Sequence, residues 1–317
     1  MKKEAIILIV LSLFLTSCAT FGGFGNYFSK GSGELGGRGL MLRFLEPKGS
    51  SINIPEGVPF SVKIQLENYV VSDFGISGQI CLRDTVTDNF GGIHGTQCLD
   101  MNLQPARKTD SRITPFITDP PYFFGPYSYK GAIRELPSVT ETNKIIADVK
   151  YEIDTTAEST MCIKSSAAQS VPSECKDTQN LRIDQPDLPL KVSSINARTF
   201  SLSSTDTSVL LEITLIKSEI GHFTTKTGVA SMTMQPGSAL VSFDVLINNN
   251  RASCTGLVNN MLEINKDTDQ KIIKCSAKLI VDQNYIRDAP IKIKMGYGFI
   301  KSVDGPKIMI VKEEVIV

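Results

Sequence analysis

Apolar and polar residues alternate in short runs along most of this chain. Phe60, Val62, Ile64 and Leu66 are separated by Ser61, Lys63 and Gln65. A period of two turns one face of a strand toward a core and the other toward water. Related patterns predict strands at 40–45, 76–82, 145–153 and 160–164. Others follow at 209–216, 240–247, 271–280 and 291–300. Asn248-Asn249-Asn250 and Asp304-Gly305 read as hairpin turns, because Asn and Gly tolerate the positive φ such turns need. Capped runs of helical period are scarce. Short, regularly spaced strands of this kind predict an all-β fold of β-sandwiches. Asn143-Lys144-Ile145-Ile146 is echoed by Gln270-Lys271-Ile272-Ile273, so two consecutive sandwiches are expected, one over 40–187 and one over 188–317. Gln185-Pro186-Asp187-Leu188-Pro189 marks the boundary.

Two stretches at the N-terminus break the alternation. Ala5 to Leu15 is apolar except for Ser12 and follows Lys2 and Lys3. It is too short to cross a bilayer, which needs about 20 residues, and has the length of a signal peptide's apolar region. Ala19 to Gly39 is rich in glycine and lacks periodicity. As a flexible coil it would span about 25 Å, from roughly 5–6 Å × √n. Gly31-Ser32-Gly33-Glu34-Leu35-Gly36 has dinucleotide-loop spacing, but no strand precedes it and no helix follows.

The apolar run closes with Leu15-Thr16-Ser17-Cys18. This resembles the lipobox of prokaryotic lipoprotein signal peptides: a branched apolar residue, two small residues and a cysteine. The resemblance implies a signal peptide at 1–17 that is cut before Cys18. It also implies a diacylglycerol on that thiol, and 18–39 as the lipidated tether. Plain secretion and an uncleaved anchor are the alternatives. Further on, Pro59-Phe60-Ser61-Val62-Lys63-Ile64-Gln65-Leu66-Glu67-Asn68 leads through a turn to a second apolar strand. It resembles the CARDB and fibronectin-III-like Ig sandwiches of exported prokaryotic proteins, archaeal ones among them. It departs from them at Tyr69-Val70, where they favour Asn followed shortly by Gly. That resemblance implies a binding or spacer module rather than a catalyst; a fold alone fixes no function.

The cysteine count sharpens the export reading. The chain has 7 Cys, an odd number that an exported protein must account for. A lipidated Cys18 cannot pair. The other six form neighbouring couples, Cys81–Cys98, Cys162–Cys175 and Cys254–Cys275. Sequence alone leaves about 15 connectivities open. Nearest-neighbour pairing is favoured because each couple lies in one strand–loop–strand neighbourhood. Each bridge would add about 3 kcal/mol by the loop-entropy model, less any native strain. Zinc is disfavoured by the lack of short Cys/His spacings.

Charge removes other classes. Basic and acidic residues balance at 33 each, and loss of Lys2, Lys3 and Glu4 with the signal leaves 31 and 32. Such a balance gives no electrostatic reason for nucleic acid. The two histidines, His94 and His222, carry no recognisable metal or catalytic motif. His94 has Asp84, Asp88 and Asp100 near it in sequence, yet reads better as a solvated loop residue. No cofactor is called for.

The stretch 113–137 is unusual for its prolines and aromatics. Tyr122, Phe123, Phe124, Tyr127 and Tyr129 are the candidate binding loop, since rigid aromatics bind partners at small entropic cost. The plainer reading is that they cap the first sandwich, because aromatics are usually core.

The expected function is that of a non-enzymatic lipoprotein. It is held to the outer side of the cell membrane by Cys18 and binds a protein or glycan partner. The alternative is an exported hydrolase with dispersed catalytic carboxylates. A deep pocket with converging acidic groups would distinguish the two.

Overall fold

The computed structural model describes residues 39–311, apart from 72–74, 87–90, 110–111, 131–142, 166–174, 204, 228–236, 266–268 and 281–285. The expected signal peptide, Cys18 and most of the tether lie outside the described residues. The described chain is all β. Its strands begin with β1 (Leu40–Glu46), β2 (Ser51–Pro55), β3 (Phe60–Asn68), β4 (Ile76–Asp84) and β5 (Gln97–Leu103). Short pieces follow as β6 (Arg107–Thr109), β7 (Arg112–Thr114), β8 (Phe116–Ile117) and β9 (Tyr122–Tyr127). Then come β10 (Lys144–Lys164), β11 (Thr178–Asn180), β12 (Ile183–Asp184), β13 (Leu190–Ser201), β14 (Asp206–Lys217) and β15 (His222–Thr224). The rest are β16 (Ser238–Ile247), β17 (Asn250–Arg251), β18 (Ser253–Cys254), β19 (Leu257–Val258), β20 (Met261–Asn265), β21 (Gln270–Ile280) and β22 (Ile286–Val311).

Two long strands dominate. β10 has 21 residues and β22 has 26, against a usual strand length of about 5–6. They pair antiparallel from Lys144↔Lys307 to Lys164↔Ile286. At about 3.3 Å per residue, β10 alone runs about 70 Å. Around this spine lies an 11-stranded sheet ordered β19-β20-β16-β22-β10-β4-β5, with β2, β12, β15 and β17 attached at its sides. β4 pairs with the first half of β10, at 145–152, and β12 with the second, at Glu158 and Ser159.

Besides a two-stranded ribbon of β6 and β7, two smaller sheets complete the packing. One has β1, β3, β8 and β9; the other is ordered β11-β13-β14-β21-β18. Both belong to one continuous apolar core with the inward residues of the spine. On β10 they include Val149, Tyr151, Ile153, Ala157, Met161 and Ile163; on β22 they include Ile291, Ile293, Tyr297 and Phe299. The inward positions at mid-strand are small: Thr155, Ala157 and Ser159. These polar and small residues hide the continuity of β10 from a hydropathy reading, which sees two strands with a gap.

The spine changes the expected organisation. Strands from 40–187 and 188–317 share one sheet, so the boundary at 187/188 does not separate two sheets. The echoed segments also sit differently, in β10 at the centre of the large sheet and in β21 of the five-stranded one. Asp304-Gly305 is not a hairpin turn but lies inside β22. There the register with β10 shifts between Lys144 and Ile146, and the buried face switches from Val303 to Ile308 and Ile310. One extra residue in one strand has this effect. Gly305 is needed because a Cβ would lie 2.7 Å from the Phe44 ring. The Asn248-Asn249 turn is a hairpin, with φ of 48° and 64° and Ile247 paired to Asn250.

The three expected cysteine couples are the disulfides of the structure. Cys81–Cys98 joins β4 to β5 and Cys254–Cys275 joins β18 to β21, each with Cα atoms 4.0 Å apart. Cys162–Cys175 ties β10 to the segment before β11, at 5.4 Å. Such bridges fit an oxidising, extracytoplasmic compartment.

Candidate functional site

The outward face of the spine carries charge where the inward face carries core. Even-numbered residues of β10 point outward: Lys150, Glu152, Asp154, Thr156 and Glu158. Neighbouring strands place Gly296 and Ser242 on the rung of Asp154, and Lys294 and Asp244 on the rung of Thr156. Over this face lies an open groove of about 1440 Å³, bounded also by Tyr69, Ile113, Gln185 and Arg251. It runs from the outward face of the second half of the spine to the β6–β7 hairpin and the β12–β13 connection.

A short strap borders the groove at Asp154. The segment after β15 brings Lys226 to Asp154, 2.7 Å away. Thr227 donates its backbone N–H and its hydroxyl to Glu152, at 2.7 and 2.6 Å. Burial alone would raise the Glu152 carboxyl; the two Thr227 hydrogen bonds and the Lys226 charge outweigh it and hold it below the usual range. The strap can lie close because β22 carries glycine beneath it. A Cβ on Gly298 would lie 2.2 Å from Thr224 Oγ1. One on Gly296 would lie 2.5 Å from Ser242 Oγ and 2.6 Å from Asp154 Oδ1.

Four of the five carboxylates that line the groove are matched by cations, and Asp184 stands exposed with no ion pair among the described residues. Asp154 pairs with Lys226, Asp244 with Arg251 at 2.6 Å, Glu158 with Lys292 at 3.0 Å, and Asp187 with Lys191. An exposed pair contributes only about 0–1 kcal/mol to stability. The result is a surface of closely alternating sign.

Sequence-predicted residues are placed differently. Tyr122–Tyr127 is not a loop but β9, paired to β3. Phe124, Tyr127 and Tyr129 are buried, and Phe60 stacks on Tyr129 at 5.1 Å. Tyr122 is half-buried, and Phe123 alone of the five is exposed, at 52%. The candidate binding loop is therefore largely a core cap. The reason is pairing: β9 completes the small sheet, and its side chains alternate inward and outward until Gly125-Pro126.

Asp84 is structural. Its carboxylate accepts hydrogen bonds from the Tyr129 hydroxyl at 2.7 Å, Ile93 N–H at 3.0 Å and Val86 N–H at 3.1 Å. Burial nevertheless raises its carboxyl above the ordinary range. It closes the loop that carries His94, which is exposed. Asp88 lies outside the described residues, and no metal-binding group of three His, Cys, Asp or Glu side chains occurs among those described. His222 opens β15 opposite Ile300.

Sequence reasoning did not find Asp154, Lys226, Ser242, Asp244 and Lys294 as a group. They come from strands far apart in the chain. The available signal was charge at every second position of a strand, together with the paired glycines of Met295-Gly296-Tyr297-Gly298-Phe299. No family model matches the chain, and no curated protein matches it in sequence.

Proposed function

We propose that this chain is an extracytoplasmic lipoprotein, anchored through Cys18, that acts as a non-enzymatic binding or assembly module. Its partner surface is the mixed-charge groove, and its partner class is a protein segment carrying both signs of charge. The observation that carries this reading is the pairing of four of the five groove carboxylates with lysine and arginine. A carboxylate held by a cation is a poor proton donor. The hydrolase alternative calls for converging acidic groups in a deep pocket, whereas this groove is open and four of its five acids are individually paired with a cation. Three disulfides and a spine common to both halves make a rigid platform, as a binding scaffold requires. Neutral overall charge fits a partner chosen by local pattern rather than by long-range attraction.

A photo-crosslinker placed at Lys294 in cells tests the groove. It should give a discrete protein adduct, which Asp154→Lys weakens, while a crosslinker at exposed Lys150 gives none. Equal labelling at both positions, or none at Lys294, would contradict the assignment.

A further inference from the structure

Large apolar side chains stand exposed together at one end of the five-stranded sheet. Phe200 ends the outward row of β13 at 51% exposure, Leu202 follows at 60%, and Ile280 ends β21 at 83%. Register brings them close. Phe200 is opposite Ser208, which is opposite Lys278. Leu202 N–H bonds to Asp206 O, and Asp206 is opposite Ile280. Phe200 and Leu202 therefore stand two residues apart along the chain, and Ile280 stands two strands away on the rung of Leu202, with Asp206 between them. Arg198 stands behind Phe200, and Lys278 is level with Phe200 and in an ion pair with Asp206 at 3.0 Å. Asp206, the one carboxylate of the tip among the described residues, is neutralised by Lys278. Exposed apolar groups flanked by long basic side chains suit a lipid headgroup layer, where Lys and Arg extend toward phosphate.

The length of chain before the folded body says what lies within reach. A Cβ on Gly39 would lie 3.1 Å from Asp187 O, so the tether joins the body beside the start of β13. β13 has 12 residues, so at about 3.3 Å per residue the apolar tip stands about 40 Å from that point. The chain from Cys18 to Gly39 can extend to about 70 Å at 3.3–3.6 Å per residue. A tether of that length lets the tip come down to a bilayer that holds Cys18. The tether also keeps its effective concentration high, so a few apolar side chains suffice.

We propose that Phe200, Leu202 and Ile280 insert into the headgroup region of the bilayer that holds Cys18, giving the body a second point of contact. This rests on the lipid-anchor reading above. The test uses the full-length protein isolated with its native N-terminus. It is reconstituted in phosphatidylcholine–phosphatidylglycerol vesicles containing brominated lipid. A polarity-sensitive fluorophore is attached at Leu202→Cys, or at Lys150→Cys as the control. The label at 202 should shift to the blue and be quenched by bromine, and the label at 150 should do neither. Phe200→Ser with Ile280→Ser should abolish the quenching while the protein still floats with vesicles. A protein that floats with its label at 202 fully wet overturns the tip contact and leaves the anchor standing. Failure to float overturns the anchor, and the tip contact with it. A blue-shifted but unquenched label shows the tip buried against a second copy and also overturns the proposal.

Discussion

Lys301 Nζ lies 3.0 Å from Glu219 Oε2, and both side chains are buried, at 8% and 6% exposure. The same ammonium donates to Leu40 O at 3.3 Å. This contact fastens the first strand to β22. Around it, the Tyr297 hydroxyl accepts the Leu190 N–H at 3.2 Å. Burial and the nearby Glu219 charge keep Tyr297 and Tyr151 protonated. A Cβ on Gly39 would lie 2.9 Å from Glu219 Oε1, which explains glycine there. The start of β1, the connection after β14 and the middle of β22 thus meet at one buried ion pair.

Removing one partner leaves a buried charge uncompensated. Lys301→Met should destabilise the fold by about 3–5 kcal/mol, and Lys301→Met with Glu219→Leu should recover much of that loss. Urea unfolding of the two variants measures this. A double variant no more stable than the single one would show that the pair does not act as a unit.

The shared spine makes a prediction about fragments. Chains cut at 187/188 expose the β10–β22 interface along its length. Each fragment alone should lack cooperative melting, and mixing or co-expressing the two should restore it. Circular dichroism with thermal melting decides this. Two fragments that each melt cooperatively would show that the halves fold without the spine.

Asp84 and Glu152 should give opposite pH signatures. Folding raises the Asp84 carboxyl, so its contribution is full below the unfolded value and is lost as pH rises through the folded one. Folding lowers the Glu152 carboxyl, so its contribution is full above the unfolded value and is lost as pH falls through the folded one. Between acid and neutral pH, wild type should lose stability relative to Asp84→Asn and gain it relative to Glu152→Gln. Glu152 is exposed enough that its effect should stay small. Denaturant midpoints for the three proteins across that range measure both slopes. Parallel slopes would contradict the two assignments.

The all-β class was legible because Phe60–Leu66 and Val209–Ile216 carry their burial in their residue order. The cysteine couples were legible because each closes a local loop. The spine was not, for two local reasons. Thr155, Ala157 and Ser159 are inward yet not strongly apolar, and Asp304-Gly305-Pro306 looks like a turn although it is a bulge within β22. The groove was invisible for a different reason. Asp154, Asp244 and Lys294 meet only through the pairing of β10, β22 and β16, and no local pattern encodes that register. The aromatics of 122–129 drew attention by composition, but pairing with β3 turns most of them inward.

The central claim is that this is a disulfide-braced protein held outside the membrane by lipid on Cys18. Intact mass of the native protein, extracted from membranes and alkylated without reduction, tests it most directly. The predicted result is a chain that begins at Cys18, carries the mass of a lipid and takes up no alkylating group, because its other six cysteines are paired. A soluble native chain without lipid, or one alkylated at the cysteines of 81–275, would contradict it.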